Sequence, residues 1–301
     1  YKKYGTINVV DNLNLSIKSG EIVGFLGLNG AGKTTTMRMM LGLIKSTSGE
    51  CYIQEKKLDL NNLELRNEIG YIIETPYSYP DLTVRENLEI VSKLRGVNKD
   101  NVDWVIEKLK LKKYEHKQEK HLSLGNVARL GIAKAIIHKP KILILDEPTN
   151  GLDPLGVIEV RELLKELTND LGITILISSH KLEEISKIAT RIVIIHEGKL
   201  IKEVESKELD KCLEKKLLVS GSNNRAMKEI LSNNGYQVNF KLDLEKNIPF
   251  LELIDKKSVE SPEEIATLLV NEGYPPKFLV VEKEDLEDYF FRILSNYKIE
   301  V

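Results

Sequence analysis

The sequence contains few cysteines, few aromatic residues and no long hydrophobic run. Its 301 residues include 2 cysteines, Cys51 and Cys212, and 6% aromatic side chains. Two cysteines so far apart form neither a zinc site nor a redox motif, so we expect two unpaired structural thiols in a reducing compartment. No segment approaches the ~18 consecutive apolar residues of a transmembrane helix. The most apolar region, residues 132–145, is interrupted by lysines and a histidine.

The sequence also lacks an excess of charge of either sign. Lys and Arg number 44, Asp and Glu number 46, and the net charge is 44 − 46 = −2. This balance excludes the bulk basicity of nucleic-acid-binding proteins, and we expect no nucleic-acid partner. At about 100–200 residues per domain, the length allows two or three domains. No secretory signal is visible, and because the first residue is Tyr1 rather than Met, we expect that the natural start is missing.

Short apolar runs alternate with helical patterns over much of the chain. Strands are predicted at residues 22–26, 142–145, 173–177 and 192–195. Because these runs are almost continuously apolar, we expect strands covered on both faces in a mainly parallel sheet. An amphipathic helix is predicted from apolar residues near a 3.6-residue period, namely Leu155, Ile158, Val160, Leu163, Leu164 and Leu167.

The middle of the chain, from about Thr83 to His138, shows helical patterns and no convincing strand. There the spacing i, i+3, i+4, i+7 predicts a one-sided helix, in the residues Val102, Val105, Ile106 and Leu109. We interpret this region as a helical insertion within the α/β core.

After about Cys212 the pattern changes to β-α-β-β-α-β, which predicts a small ferredoxin-like domain. The strands are expected at residues 217–219, 237–240, 250–254 and 278–281, and the helices at 226–231, 262–269 and 286–294. Ser261 and Pro262 are typical of a helix start, with the serine as the capping residue.

The segment Gly27–Thr35 has the pattern G-x-x-x-x-G-K-[ST] between a predicted strand and a predicted helix. Its glycines let backbone N–H groups approach phosphate oxygens, and the following helix N-terminus attracts the same anion. Lys33 is expected to place its charge on the β- and γ-phosphates, and Thr34 to offer a hydroxyl to Mg²⁺. The alternative is a glycine-rich turn without a ligand; strand, spacing, lysine and threonine together favour a nucleotide site.

Two acidic residues, Asp146 and Glu147, follow the predicted strand 142–145. Asp146 can hold Mg²⁺ or one of its water ligands, and Glu147 can orient or deprotonate an attacking water. Such a pair alone is typical of a solvated turn, but after a phosphate loop it indicates a catalytic site. His180 ends the next predicted strand, at the edge where open α/β sheets bind ligands, so we expect a γ-phosphate contact rather than a purely structural histidine.

With these motifs assembled, the chain resembles the ATP-binding subunit of an ABC transporter over about residues 4–209. The family's motifs occur in order: the adenine-stacking aromatic residue, the Walker A loop, the Q-loop residue, the signature loop, the Walker B pair, the D-loop and the switch histidine. They correspond to Tyr4, Gly27–Thr35, Glu74, Leu122–Asn126, Asp146–Glu147, Asn150–Asp153 and His180.

This resemblance implies an α/β P-loop NTPase core of the ABC ATPase type with a helical subdomain. We expect the ATP-binding domain at residues 1–212, its helical insertion at about 75–138, and an accessory α+β domain at 213–301. The role of the accessory domain is left open: it could regulate the dimer, contact a permease or stabilise the ATP-binding domain.

The resemblance also implies a head-to-tail dimer in which each ATP lies between the Walker A loop of one subunit and the signature loop of the other. The implied catalytic residues are Glu147, His180 and Lys33, and the implied Mg²⁺ ligands are Thr34, Glu74 and Asp146. The implied ATP-binding residues are Tyr4, Asn29, Gly30, Gly32, Lys33, Thr34, Thr35, Glu74, Ser123, Gly125, Asp146 and Asp153. ATP hydrolysis would drive a membrane permease at the cytoplasmic face of the cell membrane, and Asp153 would couple the two ATP sites.

Two departures from the family pattern are informative. Glu74 stands where most members have glutamine, so a charged group replaces a neutral Mg²⁺ ligand. Leu124 and Asn126 replace glycine and glutamine in the signature loop, while Ser123 and Gly125 are retained. These departures resemble subunits that protect bacteria from lantibiotics and bacitracin-like peptides, which predicts an antimicrobial-peptide or drug exporter.

Three other functions compete with this hypothesis. A chromosome-maintenance or DNA-repair ATPase would carry long coiled coils between the Walker motifs, but only 146 − 33 = 113 residues separate Lys33 from Asp146. A ribosome-associated ATPase would carry two cassettes in one chain, and one is found here. A purely structural binding module fits poorly, because both Asp146 and Glu147 are present. A polytopic membrane protein encoded next to this chain would favour the exporter.

Overall fold

A computed structural model describes residues 1–58, 63–74, 77–243 and 248–300. The chain divides into two compact units, Tyr1–Lys207 and Glu208–Val301. The expected domain boundary after residue 212 lies a few residues further along the chain and stays a prediction. Among the described helices, none combines the length and apolar character needed to cross a bilayer.

The first unit alternates strands and helices. Its strands are β1 (Lys2–Tyr4), β2 (Ile7–Val10), β3 (Ile22–Leu26), β4 (Tyr52–Ile53), β5 (Lys56–Lys57), β6 (Ile69–Ile72), β7 (Ile142–Leu145), β8 (Thr174–Ser179), β9 (Arg191–His196) and β10 (Lys199–Glu205). Its helices are α1 (Lys33–Met40), α2 (Leu63–Asn67), α3 (Val84–Arg95), α4 (Asp100–Lys108), α5 (Leu124–Ile136), α6 (Pro154–Leu171) and α7 (Leu182–Ser186), and α8 (Ser206–Cys212) spans the division between the units.

A six-stranded sheet in the order β10-β9-β3-β8-β7-β6 forms the centre of this unit. Strands β9, β3, β8, β7 and β6 run parallel, and only β10 pairs antiparallel, with β9. The four predicted strands are confirmed, and their apolar side chains are buried except for Ile142, which is partly buried. Strand β6 was not predicted as a strand; its four residues pair with β7 and position the segment that leads to Glu74.

The described residues 77–138, where the helical insertion was expected, form helices and no strand element. Residues 75 and 76, where the insertion was expected to begin, lie outside the described residues. Helix α3 begins with a capping box, in which Thr83 and Glu86 satisfy each other's backbone N–H groups. The predicted apolar face of α4 is buried throughout, at Val102, Val105, Ile106 and Leu109.

The predicted apolar face of α6 is partly wrong. Val160, Leu163, Leu164 and Leu167 are buried, but Leu155 is 63% exposed and Ile158 is 45% exposed. At about 100° per residue, Leu155 and Ile158 project roughly 140–160° away from the buried stripe through Val160. The stripe continues towards the N-terminus through Gly156, which is buried, rather than through Leu155.

The second unit has the predicted β-α-β-β-α-β order. Its elements are β11 (Lys215–Ser220), α9 (Asn224–Asn233), β12 (Val238–Asp243), β13 (Ile248–Leu253), α10 (Lys256–Glu260), α11 (Pro262–Asn271), β14 (Phe278–Lys283) and α12 (Leu286–Glu300). The antiparallel sheet has the order β12-β13-β11-β14, so β13 separates β11 from β12 as in a split βαβ unit. The expected ferredoxin-like topology is therefore confirmed.

Two local details of this unit differ from prediction. Ser261 occupies the position before α11, but its side chain makes no capping hydrogen bond. The short helix α10 was not predicted. Asp255 caps it by accepting a hydrogen bond from the Ser258 N–H, and α10 ends where α11 begins, which leaves Ser261 without the extended backbone of a normal cap.

Candidate functional site

The phosphate loop lies between β3 and α1 and is shaped by glycines. Gly30 and Gly32 have φ values of 82° and 98°, in the left-handed region. A Cβ on Gly32 would lie 2.6 Å from the carbonyl oxygen of Val9, so this position also requires glycine for space. The loop therefore turns tightly and presents backbone N–H groups at the start of α1, as anion binding requires.

Lys33, the first residue of α1, is buried and folded back over the loop. Its Nζ donates hydrogen bonds to the carbonyl oxygens of Gly27 at 2.6 Å and Leu28 at 3.3 Å. The same ammonium lies 3.4 Å from Glu147 Oε1. The predicted phosphate ligand is thus held within the loop by chain atoms and is directed at the acidic pair.

The acidic pair follows β7, and its first member is tied to the phosphate loop. Thr34 Oγ1 donates a hydrogen bond to Asp146 Oδ2 at 2.6 Å. Asp146 is buried, and its backbone N–H donates to Ile72 O on β6. A hydroxyl and a carboxylate side by side are hard oxygen donors, so these two residues fit Mg²⁺.

Glu147 occupies a left-handed backbone conformation with φ of 46°. Its Oε2 lies 2.8 Å from His180 Nδ1, and its Oε1 faces Lys33. The side chain is half-buried, at the carboxyl edge of the sheet. The histidine predicted to contact phosphate therefore contacts the predicted catalytic base, which it can orient.

Ser178 is the site residue that sequence reasoning missed. Its Oγ donates to Asp146 Oδ1 at 2.5 Å and accepts a hydrogen bond from the Glu147 N–H at 2.9 Å. The side chain is fully buried. The available signal was a polar residue near the end of β8, because β8 pairs with β7 and the acidic pair ends β7.

A cavity of about 540 Å³ opens beside the phosphate loop, a volume in the range of small-molecule sites. Predicted site residues that line it are Asn29, Gly30, Gly32, Lys33, Thr34, Thr35, Glu74, Asp146 and Glu147. Helix α5 of the same chain also lines it, through Leu124, Val127 and Ala128. The described residues that line the cavity do not include the other predicted site residues, Tyr4, Ser123, Gly125, Asp153 and His180.

Glu74 lines the cavity but has a different partner from the one predicted. Its carboxylate forms an ion pair with Arg38 on α1. The side chain is 66% exposed, and the backbone is left-handed, with φ of 64°. The predicted role of Glu74 as a Mg²⁺ ligand stays a prediction, since the carboxylate is directed at the guanidinium and not at the Thr34–Asp146 pair.

The signature loop and the D-loop lie at the starts of two neighbouring helices. Ser123 caps α5 and accepts hydrogen bonds from the Asn126 N–H at 3.4 Å and from Asn126 Nδ2 at 2.9 Å. Asp153 caps α6 by accepting from the Gly156 N–H at 3.0 Å. A Cβ on Gly125 would lie 3.7 Å from the Gly156 Cα, so the two helix starts are adjacent.

Tyr4, the predicted adenine-stacking residue, belongs to the β1–β2 pair. Its ring is 51% exposed, and the ammonium of Lys2 lies 4.6 Å from the ring centroid. An exposed ring is accessible to a base, but Tyr4 does not line the cavity beside the phosphate loop, so stacking stays a prediction.

Comparison with known proteins places this geometry in context. The sequence profile described as ABC transporter matches residues 10–150. The bacitracin transport ATP-binding protein BcrA of Bacillus licheniformis is 40% identical over 298 residues, which cover 98% of this chain and 95% of that protein. The lantibiotic transport ATP-binding protein SrtF of Streptococcus pyogenes is 40% identical over 204 residues, covering 68% of this chain and 87% of that protein.

Solved structures of ABC transporter cassettes give the same fold over about two thirds of the chain. The dimeric structure of the ABC transporter cassette MJ0796 has a TM-score of 0.61 at 29% identity, covering 68% of this chain and 95% of that one. A post-hydrolysis state of that cassette, bound to ADP and Pi, has a TM-score of 0.59 at 28% identity and covers 68% of this chain and 94% of that chain.

Proposed function

Because the chain belongs to the ATP-binding proteins of ABC transporters, which bind and hydrolyse ATP, we propose that it energises a membrane permease exporting antimicrobial peptides. The observation that supports this specificity is the similarity to a bacitracin transport protein along 98% of the chain, including the second unit. The lantibiotic transport relative covers 68% of the chain. The proposed substrates are therefore peptides of the bacitracin or lantibiotic kind.

ATP hydrolysis is assigned to the cluster at the end of β7 and β8. Lys33 exchanges its contacts with Gly27 and Glu147 for phosphate oxygens when nucleotide enters. Thr34 and Asp146 hold Mg²⁺, which when bound neutralises charge on the phosphates. Glu147 takes a proton from the attacking water, and His180 fixes the orientation of the Glu147 carboxylate.

A second copy of the chain completes each ATP site. Ser123 and Gly125 contact the γ-phosphate bound by the partner, and Asp153 relays the state of one site to the other. The exposed position of Ser123 and Asp153, away from their own chain's cavity lining, supports this arrangement. The assembled pair acts at the cytoplasmic face of the cell membrane, against its permease.

Susceptibility of cells tests this function. The chain is expressed with its candidate permease in a sensitive bacterium, and the inhibitory concentrations of bacitracin and of a lantibiotic are measured. We expect a higher inhibitory concentration with the parental chain than with Glu147→Gln at equal protein level. Equal susceptibility with both chains, in the presence of measurable ATP hydrolysis by the parent, would contradict the peptide substrate and leave the ATPase assignment intact.

A further inference from the structure

Ser178 connects the two acidic residues of the site through a single hydroxyl. Its Oγ donates to Asp146 Oδ1 at 2.5 Å, and it accepts from the Glu147 N–H at 2.9 Å. The side chain has no exposed surface. Both functions of the hydroxyl, donor and acceptor, are therefore used on neighbouring residues of the site.

The strand pairing makes this contact specific. Strands β7 and β8 are parallel with Leu145 opposite Ile177, so Asp146 and Ser178 are the next residues on the two strands. Ser179, one residue further, has a different contact: its Oγ accepts from the Lys181 N–H at 3.0 Å. The two adjacent serines thus differ in their hydrogen-bond partners, although their side chains have the same size.

The contact with Asp146 fixes the direction of its other oxygen. A carboxylate is planar, so holding Oδ1 on Ser178 sets where Oδ2 lies, and Oδ2 contacts the Thr34 hydroxyl. The Thr34–Asp146 pair is the place that fits Mg²⁺. Outer partners of this kind orient metal ligands and typically contribute 10–100-fold to affinity or activity.

The contact with Glu147 fixes its backbone. A left-handed conformation is unfavourable for a residue other than glycine and persists only where surrounding bonds hold it. With φ of 46°, Glu147 turns its N–H to Ser178 Oγ, and this turn directs its carboxylate towards Lys33 and His180. Loss of the Ser178 hydroxyl removes the acceptor of that N–H.

We propose that Ser178 is a positioning residue that sets the Mg²⁺-facing oxygen of Asp146 and the orientation of Glu147 with one hydroxyl. The proposal rests on the roles proposed above for Asp146 and Glu147. Ser178 is fully buried and does not line the cavity, so it acts through these two residues.

The test compares Ser178→Ala with Ser179→Ala in the full chain. We expect Ser178→Ala to lower kcat roughly 10–100-fold while KM for ATP changes less than about threefold. The Mg²⁺ concentration that gives half-maximal activity should rise. Binding of a fluorescent ATP analogue should weaken in Mg²⁺ and stay unchanged in EDTA. Ser179→Ala should leave the Mg²⁺ dependence at the parental value.

A second pair removes the effect of altered packing. Ser178→Thr and Ser178→Val have side chains of the same shape and differ only by the hydroxyl. We expect the threonine variant to exceed the valine variant at least tenfold in kcat, with both variants folded by circular dichroism at the assay temperature. Equal kcat in these two variants, or equal Mg²⁺ midpoints in Ser178→Ala and the parent, would overturn the proposal.

Glu147→Gln distinguishes this proposal from the assignment on which it rests. If Glu147→Gln hydrolyses ATP at the parental rate, the role of Glu147 is wrong and that part of the positioning argument falls with it. If Glu147→Gln is inactive and Ser178→Ala is fully active, only the inference about Ser178 is wrong.

Discussion

Two regions of the first unit hold the predicted ATP contacts. The side chains of one region contact distant segments, and those of the other cap their own helices. In the phosphate-side cluster, side chains of distant segments contact one another: Lys33 and Thr34 reach Glu147 and Asp146, more than 100 residues away in sequence, and Glu147 contacts His180. In the signature-side segment, Ser123–Asn126 with Asp153, the capping hydrogen bonds of Ser123 and Asp153 stay within the first turn of a helix. One region is a preassembled half-site, and the other presents capped helix starts to the outside. This difference fits the proposal that one chain builds the chemical half of the site and that a second copy supplies the remainder.

The largest expected effect is on the phosphate-side cluster. Glu147→Gln removes the proposed proton acceptor for the attacking water, and we expect turnover to fall ~10²–10⁴-fold. ATP binding should be retained, because Lys33, Thr34 and Asp146 are unchanged. The measurement pairs phosphate release with nucleotide affinity. Glu184→Gln is the control: it alters a carboxylate on α7 bonded to Thr149 and should retain parental turnover.

The next effect concerns the dependence of the signature-side segment on a partner. If Ser123 and Gly125 act on the partner's ATP, as proposed, hydrolysis by the isolated chain should rise more than linearly with protein concentration. Strict proportionality from low concentration upward, in a protein shown to be monomeric, would contradict a shared site.

Mixing two inactive variants sharpens this test. Lys33→Ala and Ser123→Ala each damage a different half-site, so a mixed dimer contains one site with both halves intact. At random exchange, about a quarter of the parental activity should return. Circular dichroism of Ser123→Ala serves as the control, because the loss of a helix cap costs ~1 kcal/mol. No recovery from two folded variants would place both halves in the same chain.

A smaller effect is expected at Glu74, which lies in the cavity but is bonded to Arg38. Exposed ion pairs contribute ~0–1 kcal/mol, so Glu74→Gln should leave stability, ATP affinity and basal hydrolysis within a few-fold of the parent. We expect the larger change in permease-coupled work, measured as peptide resistance per ATP consumed. If hydrolysis collapsed and resistance per ATP stayed constant, Glu74 would be a catalytic ligand.

The last effect is on stability rather than on activity, and it is a pH dependence that arises on α5, the helix that follows the signature loop. Burial lowers the pKa of Lys134 to about 8, although its Nζ donates to Tyr77 O and Ser78 Oγ. The unfolded lysine titrates near 10.4, so between these values the unfolded chain binds more protons and stability rises with pH. The contribution of Lys134 is therefore complete above the unfolded pKa and is lost as the pH falls through about 8.

Urea unfolding of the parent and of Lys134→Met, followed from pH 7.5 to 10, measures this contribution. The parental free energy of unfolding should rise with pH relative to the variant. A constant difference between the two proteins would show that Lys134 keeps its ordinary pKa.

Local patterns predicted much of this molecule, because they depend on neighbours in sequence. The phosphate loop needs glycines at fixed offsets from Lys33, and Asp146 needs only to follow a buried strand. The order of the second unit's elements predicted its split βαβ topology. In each case the physical requirement is contained in a short segment.

The pairings that sequence did not predict join distant segments. Ser178 meets Asp146 only because β8 lies beside β7, and Arg38 meets Glu74 only because α1 and the end of β6 come together. Leu155 and Ile158 were placed on the wrong face, since a periodic pattern does not show where a buried stripe ends. These features depend on the order of the strands in the sheet and on the rotation of each helix about its own axis. The spacing of apolar residues in the sequence determines neither.

The hydrogen bonds of Lys33 within its own loop have a consequence for which anions the site retains. Its ammonium already contacts two carbonyl oxygens and a carboxylate. An incoming anion must replace these contacts, so its net binding free energy is only the difference between the new contacts and the old ones. A triphosphate offers several charged oxygens and therefore compensates for the replaced contacts more fully than a single inorganic phosphate does. The folded-back lysine thus acts as an internal competitor that favours departure of the cleaved phosphate and keeps the loop ready for the next nucleotide.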